Sequence, residues 1–130
     1  MKRLCDLNYE VLLETGGHIL VDKVDARVKK IIDVKTPSSG MMKRNEYKNL
    51  QLATASDEIK FVIGNREDYD WSKEIIEHYH LTEKLTVLFS PVFDELSLQQ
   101  LAEWILADKL NVRFQVQLHK FIWHPQTRGV

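Results

Sequence analysis

The chain has 130 residues, of which 18 are basic and 19 are acidic, so its formal net charge is -1. Hydrophobic residues make up 44% and charged residues 28%, a composition typical of globular domains and not of disordered chains. The balanced charge argues against nucleic acid as a partner, and no apolar stretch reaches the roughly 20 residues of a membrane span. The single cysteine, Cys5, excludes an intrachain disulfide. We therefore expect one cytoplasmic domain over residues 1–130, with no membrane or nucleic-acid partner.

Five short segments are typical of β-strands because they are rich in β-branched or aromatic residues and are mostly bounded by Gly, Pro or Asn. In chain order they are Tyr9–Thr15, Lys30–Thr36, Glu58–Ile63, Leu85–Ser90 and Val112–His119. Helical patterns separate most of them. Alternation of strands with helices predicts βαβ units, and hence an α/β fold with a mostly parallel sheet.

Two helices between the strands have clear start signals. Asn65 is placed to cap a helix whose first turn contains the acidic residue Asp68. Ser97 and Gln100 form a capping box before a second helix. That helix has an apolar stripe at helical spacing, made of Leu98, Leu101, Ala102, Ile105 and Leu106.

Three further segments have weaker signals. Residues 2–7 resemble the last turns of a helix, and the stretch Met41–Leu52 predicts one short helix. The intervening loop, Pro37–Met41, is rich in Pro, Ser and Gly, so we expect it to be mobile.

Alternation within the strands predicts a sheet with one apolar and one polar face. Asp33 and Lys35 share a face of the second strand, and Lys60 interrupts the third. In the last strand Arg113, Gln115, Gln117 and His119 alternate with apolar residues. Because parallel strands buried on both faces are continuously apolar, we expect helices to cover one face only.

Polar residues are concentrated where the predicted strands end: Glu14, Thr15, Lys35, Thr36, Ser90 and His119. Ligand sites of parallel α/β proteins lie beyond the carboxyl ends of the strands, so we interpret Glu14, Thr15, Lys35 and His119 as candidate ligand contacts. An alternative stays open for Asp33, Lys35 and Lys60, which would form a purely structural ion-pair network inside a barrel. Five parallel strands do not close a barrel, so the segment is expected to be part of a larger one.

Five segments occur in chain order: Leu12–Gly17 (LLETGG), Asp33–Gly40 (DVKTPSSG), Asp57–Ile63 (DEIKFVI), Leu88–Pro91 (LFSP) and Gln117–Lys120 (QLHK). Together they resemble the C-terminal part of the 7-carboxy-7-deazaguanine synthases, a family of radical S-adenosylmethionine enzymes. The resemblance extends from about residue 4 to residue 126. It implies a partial, half β/α barrel of the radical S-adenosylmethionine type, with about five parallel strands and an open N-terminal edge.

The resemblance also implies an activity and the residues that serve it. The family converts 6-carboxytetrahydropterin to 7-carboxy-7-deazaguanine in queuosine biosynthesis, with S-adenosylmethionine, a [4Fe–4S] cluster and Mg²⁺. It implies no metal ligand in this chain. By position, the implied contacts to S-adenosylmethionine are Glu14 and Thr15 near the ribose, with Lys35, Thr36 and Ser90 near the methionyl carboxylate or the adenine. The implied contacts to the pterin are Gln117 and His119.

The family's cluster motif, CxxxCxxC, is absent from this sequence, and so is the Gly-Gly-Glu-Pro segment that contacts S-adenosylmethionine. Cys5 alone cannot hold a [4Fe–4S] cluster. We therefore expect a truncated chain that is inactive by itself, and a homodimer because the open sheet edge seeks a partner. The alternative is a self-contained α/β binding or scaffolding module with an unrelated ligand.

Two other groupings are weaker. A hydrolase triad of Ser90, His119 and Asp33 lacks the strand–turn–helix elbow that exposes a nucleophile. The segment Glu77–His80 suggests metal binding at first sight, but adjacent positions on a helix do not converge on one ion.

Overall fold

The computed structural model describes residues 2–8, 10–16, 20–25 and 27–115. Within them, five strands form one sheet in the order β1-β2-β3-β4-β5, and every neighbouring pair is parallel. The strands are β1 (Leu12–Thr15), β2 (Lys29–Val34), β3 (Glu58–Ile63), β4 (Thr86–Pro91) and β5 (Arg113–Phe114). The sheet is not closed over these residues. The predicted α/β class with a parallel sheet is therefore confirmed.

Helices and turns connect the strands. The helices are α1 (Lys2–Asp6), α2 (Lys48–Leu52), α3 (Arg66–Tyr79), α4 (Leu81–Lys84) and α5 (Leu98–Ala107). Two single 3-10 turns, Pro37–Ser39 and Met42–Arg44, follow β2. The single helix predicted between residues 41 and 52 is therefore a 3-10 turn followed by α2. Among the described helices, none is both long enough and apolar enough to span a bilayer.

Both predicted caps are present. The Asn65 side chain accepts a hydrogen bond from the Asp68 amide at 2.9 Å, and the Ser97 hydroxyl accepts one from the Gln100 amide at 3.0 Å. These bonds satisfy amides that have no partner within their own helix. They explain why α3 and α5 begin where the sequence predicts.

The predicted apolar stripe of α5 is only partly correct. Leu101 is fully buried, but Leu106 is 75% exposed and Trp104 packs against the core instead. The Trp104 ring lies 5.3 Å from the Tyr69 ring, and the Tyr69 hydroxyl donates to the Trp104 carbonyl at 2.9 Å. These contacts favour a helix orientation that leaves Leu106 in the exposed last turn.

The sheet has two different faces, as the alternation predicted. The helix-covered face forms the main core with α3 and α5, and its fully buried side chains include Ile32, Ile59, Phe61, Val87 and Phe89. The opposite face, called the open face below, has polar side chains in each long strand. Register pairs such as Asp33 with Lys60, and Lys60 with Leu88, place these residues side by side on it.

The ends of the sheet differ from the prediction. Strand β1 begins at Leu12, three residues later than the sequence predicts, and β4 extends to Pro91. In the last predicted strand, pairing is described for Arg113 and Phe114. Residues 116–119, which complete that prediction, lie outside the described residues.

Candidate functional site

Two clefts lie at the carboxyl ends of β1, β2 and β3, and both are lined by Asp33. The first, called the β2–β4 cleft, has a volume of about 320 Å³. It is lined by Asp33, Val34, Lys35, Thr36, Ser38, Ser39, Val62, Val92 and Glu95. The second, called the β1–β3 cleft, has a volume of about 250 Å³. It is lined by Glu14, Thr15, Gly16, Ile31, Asp33 and Lys60.

The clefts bring together part of the predicted site. Glu14 and Thr15 line the β1–β3 cleft, and Lys35 and Thr36 line the β2–β4 cleft. Ser90 lies beside Val62 in the sheet but is fully buried and lines neither cleft. The predicted pterin contacts, Gln117 and His119, lie outside the described residues.

Lys35 is the cation of the β2–β4 cleft, and its backbone is fixed by one side chain. The Asn45 amide oxygen accepts from the Lys35 amide at 2.9 Å, and the Asn45 amide nitrogen donates to the Lys35 carbonyl at 2.8 Å. These are the bonds that a neighbouring strand would otherwise make. The Lys35 ammonium lies 2.9 Å from Oδ2 of Asp33, with both side chains about one-third exposed. The pair is thus held at the cleft without being sealed from water.

Lys60 differs from Lys35 because no carboxylate within the described residues pairs with its ammonium group. It lies in the middle of β3 on the open face, is half-buried, and lines the cleft that also contains Glu14 and Asp33. Of the three-residue ion-pair network that the sequence left open, the described residues contain the Asp33–Lys35 pair but no ion pair of Lys60. A half-buried unpaired ammonium favours an anionic group as its partner.

Two of the predicted contacts have buried hydroxyls. Thr36 is almost fully buried, and its hydroxyl donates to the Val62 carbonyl at 3.1 Å, which ties the end of β2 to β3. The Ser90 hydroxyl is fully buried and has no hydrogen-bond partner among the described residues. Thr36 therefore contributes to the shape of the cleft through this bond.

The carboxylate of Asp68 forms a buried cluster beneath the β2–β4 cleft, which the sequence analysis missed. It accepts from the Ser38 amide at 2.9 Å, from the Ser38 hydroxyl, and from the Gly64 amide at 2.8 Å. A side chain at Gly64 would have its Cβ 2.9 Å from the Ser38 hydroxyl oxygen, so any larger residue there would displace the Ser38 side chain. The sequence does contain a signal, because Asp68 follows shortly after Gly64, the glycine that ends the strand. The local pattern, however, indicates only that Asp68 is an acidic residue in the first turn of the helix.

The described residues do not contain a metal centre: no three His, Cys, Asp or Glu side chains in this part of the chain are grouped to hold an ion. Cys5 is buried in a small apolar cluster with Val11 and Val28. The two clefts are instead lined by charged and hydroxyl-bearing side chains that can bind a polar ligand. They present two ammonium groups, three carboxylates and several hydroxyls, which suit a ligand with both charged and hydrogen-bonding groups.

These features define an α/β protein with a parallel sheet that is open over the described residues and with two polar clefts at the carboxyl ends of its strands. No protein-family model matches the chain. It is nevertheless 47% identical to the 7-carboxy-7-deazaguanine synthase of Chlorobaculum tepidum over 133 residues, which cover all of this chain and 60% of that protein. The enzyme of the same name from Koribacter versatilis is 41% identical over 143 residues, covering all of this chain and 63% of its relative.

A third relative with that name, from Clostridium acetobutylicum, is 35% identical over 129 residues, covering 96% of this chain and 58% of its own length. The chain therefore spans about 60% of the length of these curated relatives. The resemblance to the 7-carboxy-7-deazaguanine synthases that the five segments predicted is confirmed.

Proposed function

We propose that this chain is the C-terminal portion of a 7-carboxy-7-deazaguanine synthase, that it forms part of a β/α barrel, and that its two clefts bind S-adenosylmethionine. The observation that supports this most directly is the pair of clefts at the carboxyl ends of β1, β2 and β3, lined by segments that carry the resemblance. In the complete enzyme the reaction would be the conversion of 6-carboxytetrahydropterin to 7-carboxy-7-deazaguanine, in the cytoplasm.

The residues present fit S-adenosylmethionine, which has an ammonium group, a carboxylate, a sulfonium and ribose hydroxyls. Glu14 lies on the open face and its carboxylate would accept hydrogen bonds from the ribose hydroxyls, next to Thr15. The Lys35 ammonium would bind the methionyl carboxylate in a cleft shaped by Thr36. Ser90 lies beside Val62, which lines that cleft. In this family S-adenosylmethionine supplies the radical that abstracts hydrogen from the substrate. The residues of this chain orient the two molecules, and we propose that Gln117 and His119 contact the pterin.

The residues do not fit an iron–sulfur cluster. A [4Fe–4S] cluster needs a set of cysteine thiolates, whereas Cys5 is the one cysteine of the sequence and is buried with Val11 and Val28. The described residues likewise contain no group suited to Mg²⁺. We therefore assign no redox step to this chain, and propose that it binds and orients ligands without catalysing the reaction by itself.

Calorimetric titration of the full chain tests the binding role. S-adenosylmethionine is expected to bind with one-to-one stoichiometry, whereas adenosine and methionine added separately should each bind much more weakly because each fills part of the site. Absence of saturable binding at millimolar concentration would refute the proposal. Iron reconstitution is a second test. Because the chain cannot bind a [4Fe–4S] cluster, it is expected to develop no cluster absorption band at about 400 nm.

One observation supports the alternative of a self-contained binding or scaffolding module. The helix-covered face of β3 and β4 has a fully buried core, including Phe61 and Phe89, and the Asp33–Lys35 pair is already satisfied without a ligand. A compact monomer with one cooperative thermal transition, little binding of hydrophobic dye and no affinity for S-adenosylmethionine would favour this module.

We further propose that the chain forms a homodimer. Among the described residues, strand β1 is paired on one side only, with β2, and Leu12 on this edge strand is 55% exposed. An edge strand with free backbone groups and an exposed leucine favours pairing with a second copy. Sedimentation equilibrium should give the mass of a dimer at micromolar concentration, and a monomer throughout that range would contradict the proposal.

A further inference from the structure

We propose that Asp68 is a positioning residue of the β2–β4 cleft, which holds the turn Thr36–Gly40 in the shape that binds the ligand. This inference rests on the proposed function in that the ligand is taken to be S-adenosylmethionine. Asp68 belongs to α3, lies below the cleft and does not line it. It acts through Ser38, which does line the cleft.

The hydrogen bonds of Asp68 are directed away from its own helix. Its carboxylate is fully buried and accepts three hydrogen bonds, two from Ser38 and one from Gly64. The usual function of a polar residue at a helix start, capping its amides, is already performed by Asn65. The side chain of Asp68 is thus free to fix a turn that is 30 residues earlier in the chain.

Within the part of the chain that the structure describes, the other hydrogen bonds of the turn are local, besides those to β3 and α3. The Ser39 amide and hydroxyl both bond to the Thr36 carbonyl, at 3.1 Å and 2.6 Å, and the Gly40 amide bonds to Pro37. Such bonds preserve the shape of a turn but do not fix its position relative to the sheet. The Thr36 hydroxyl holds one end to β3, and Asp68 holds the middle to α3. Without Asp68, Ser38 and Ser39 would lose their fixed place in the cleft wall.

This arrangement revises the sequence-based expectation that residues 37–41 are mobile. The composition of Pro, Ser and Gly is that of an unconstrained loop, but a buried carboxylate supplies the constraint from elsewhere in the chain. Preorganised binding groups raise affinity because less conformational entropy is lost when the ligand binds. Asp68 is therefore expected to affect ligand affinity as well as stability.

Asp57 provides a control: it is a second buried carboxylate, although it also pairs with the buried Lys30 ammonium at 3.5 Å. It accepts hydrogen bonds from the backbone amides of Lys30 and Thr54, each at 2.9 Å. It lies just before β3, at the amino ends of the strands and therefore at the opposite edge of the sheet from the clefts. Its replacement should weaken the fold without changing the β2–β4 cleft.

The experiment compares Asp68→Asn, Asp57→Asn and the milder Ser38→Ala in the full chain at a temperature where each remains folded. Affinity for S-adenosylmethionine is expected to fall about tenfold in Asp68→Asn, by analogy with residues that orient the ligands of a metal ion, and to fall less in Ser38→Ala. In Asp57→Asn it should remain within about twofold of the original. Equal losses in the two Asp→Asn variants would mean general destabilisation and would overturn the inference.

Amide hydrogen exchange measures positioning without any ligand. In Asp68→Asn, exchange should accelerate at Ser38 and Gly64, whereas in Asp57→Asn it should accelerate at Lys30 and Thr54. Unchanged exchange at Ser38 in both Asp68→Asn and Ser38→Ala would overturn the inference. If the original chain fails to bind S-adenosylmethionine, the proposed function fails, and the exchange pattern still decides whether Asp68 positions the turn.

Discussion

The Nζ atom of Lys35 lies 2.9 Å from Oδ2 of Asp33, two residues earlier and on the same face of the sheet. The side chains are 30% and 28% exposed, so water and ligands can still reach both groups. A partly exposed ion pair of this kind contributes little to stability because solvent screens the attraction between its charges. Its charges are therefore available for binding, and the first prediction concerns them.

Lys35→Met should lower the affinity for S-adenosylmethionine while changing the free energy of unfolding by no more than about 1 kcal/mol. The matched control is Lys29→Met, since Lys29 is on the same face and pairs with Glu58 at 3.1 Å, but lies at the other end of β2. Urea denaturation and calorimetric titration measure the two quantities. Equal affinity in the two variants would contradict the assignment of Lys35.

Lys60→Met should leave stability unchanged or slightly raised, because it removes a half-buried ammonium group that has no carboxylate partner among the described residues. If the β1–β3 cleft binds an anionic group, the same change should weaken that binding. The measurement is affinity for S-adenosylmethionine and for the carboxylated pterin, each titrated separately. A clear loss of stability without loss of affinity for either would show that Lys60 is structural.

Gly64→Ala should destabilise the protein by about 1–3 kcal/mol through crowding. The added Cβ would lie 2.9 Å from the Ser38 hydroxyl oxygen, 3.0 Å from Oε2 of Glu95 and 3.1 Å from Oδ2 of Asp68. Since Ser38 and Glu95 line the β2–β4 cleft, ligand affinity should fall as well.

Gly40→Ala is the control for this change. Gly40 has a φ of +73°, but a Cβ there would meet no atom within 4 Å. Alanine should therefore cost about 1–2 kcal/mol of backbone strain and shift the turn less. Chemical denaturation with parallel ligand titration distinguishes crowding from strain, and identical affinities in the two variants would argue against the crowding mechanism.

The fourth prediction concerns pH and the contact between α3 and α5. The Tyr69 hydroxyl, 2.6 Å from Oδ2 of Asp108, and the Lys73 ammonium, 3.0 Å away, lower the pKa of Asp108 below its ordinary value. Burial and the bond to Asp108 also raise the pKa of Tyr69. Because the folded protein favours ionised Asp108, this stabilisation is present above the ordinary carboxyl pKa of about 4. It is lost as the pH falls through the lowered value.

Tyr69→Phe removes the main cause of that shift. The variant should be less stable near neutral pH, and its stability should fall less steeply below about pH 4 than that of the original chain. Urea midpoints measured across this range test the expectation, with Tyr79→Phe as a control because no hydrogen bond of its hydroxyl is described. Parallel pH profiles for Tyr69→Phe and the original would contradict it.

The sequence predicted the parts of the fold that depend on local pattern. Strand β3 has the predicted bounds because Asp57 and Gly64 limit an alternating apolar run, and Asn65 and Ser97 cap their helices as expected. Helix α4 was missed because its four residues are too few to show a period.

Tertiary contacts decided the remaining features. Trp104 packs against the core because it contacts Tyr69 of α3. No pattern within the sequence of α5 could indicate this contact. In the candidate site, Glu14 and Lys35 were predictable from their place at strand ends, whereas Asn45 and Asp68 contribute through hydrogen bonds to residues 10 and 30 positions away. Long-range side-chain bonds of this kind leave no periodic signal.

Asp33 lines both clefts, and this shared carboxylate makes them thermodynamically interdependent. A carboxylate ligand that draws the Lys35 ammonium away in one cleft leaves Asp33 more able to attract a positive group in the other. By thermodynamic linkage, binding of the second ligand then raises the affinity for the first ligand by the same factor. A molecule that carries both charges, or two molecules that carry one each, would thus be bound cooperatively through Asp33 and Lys35.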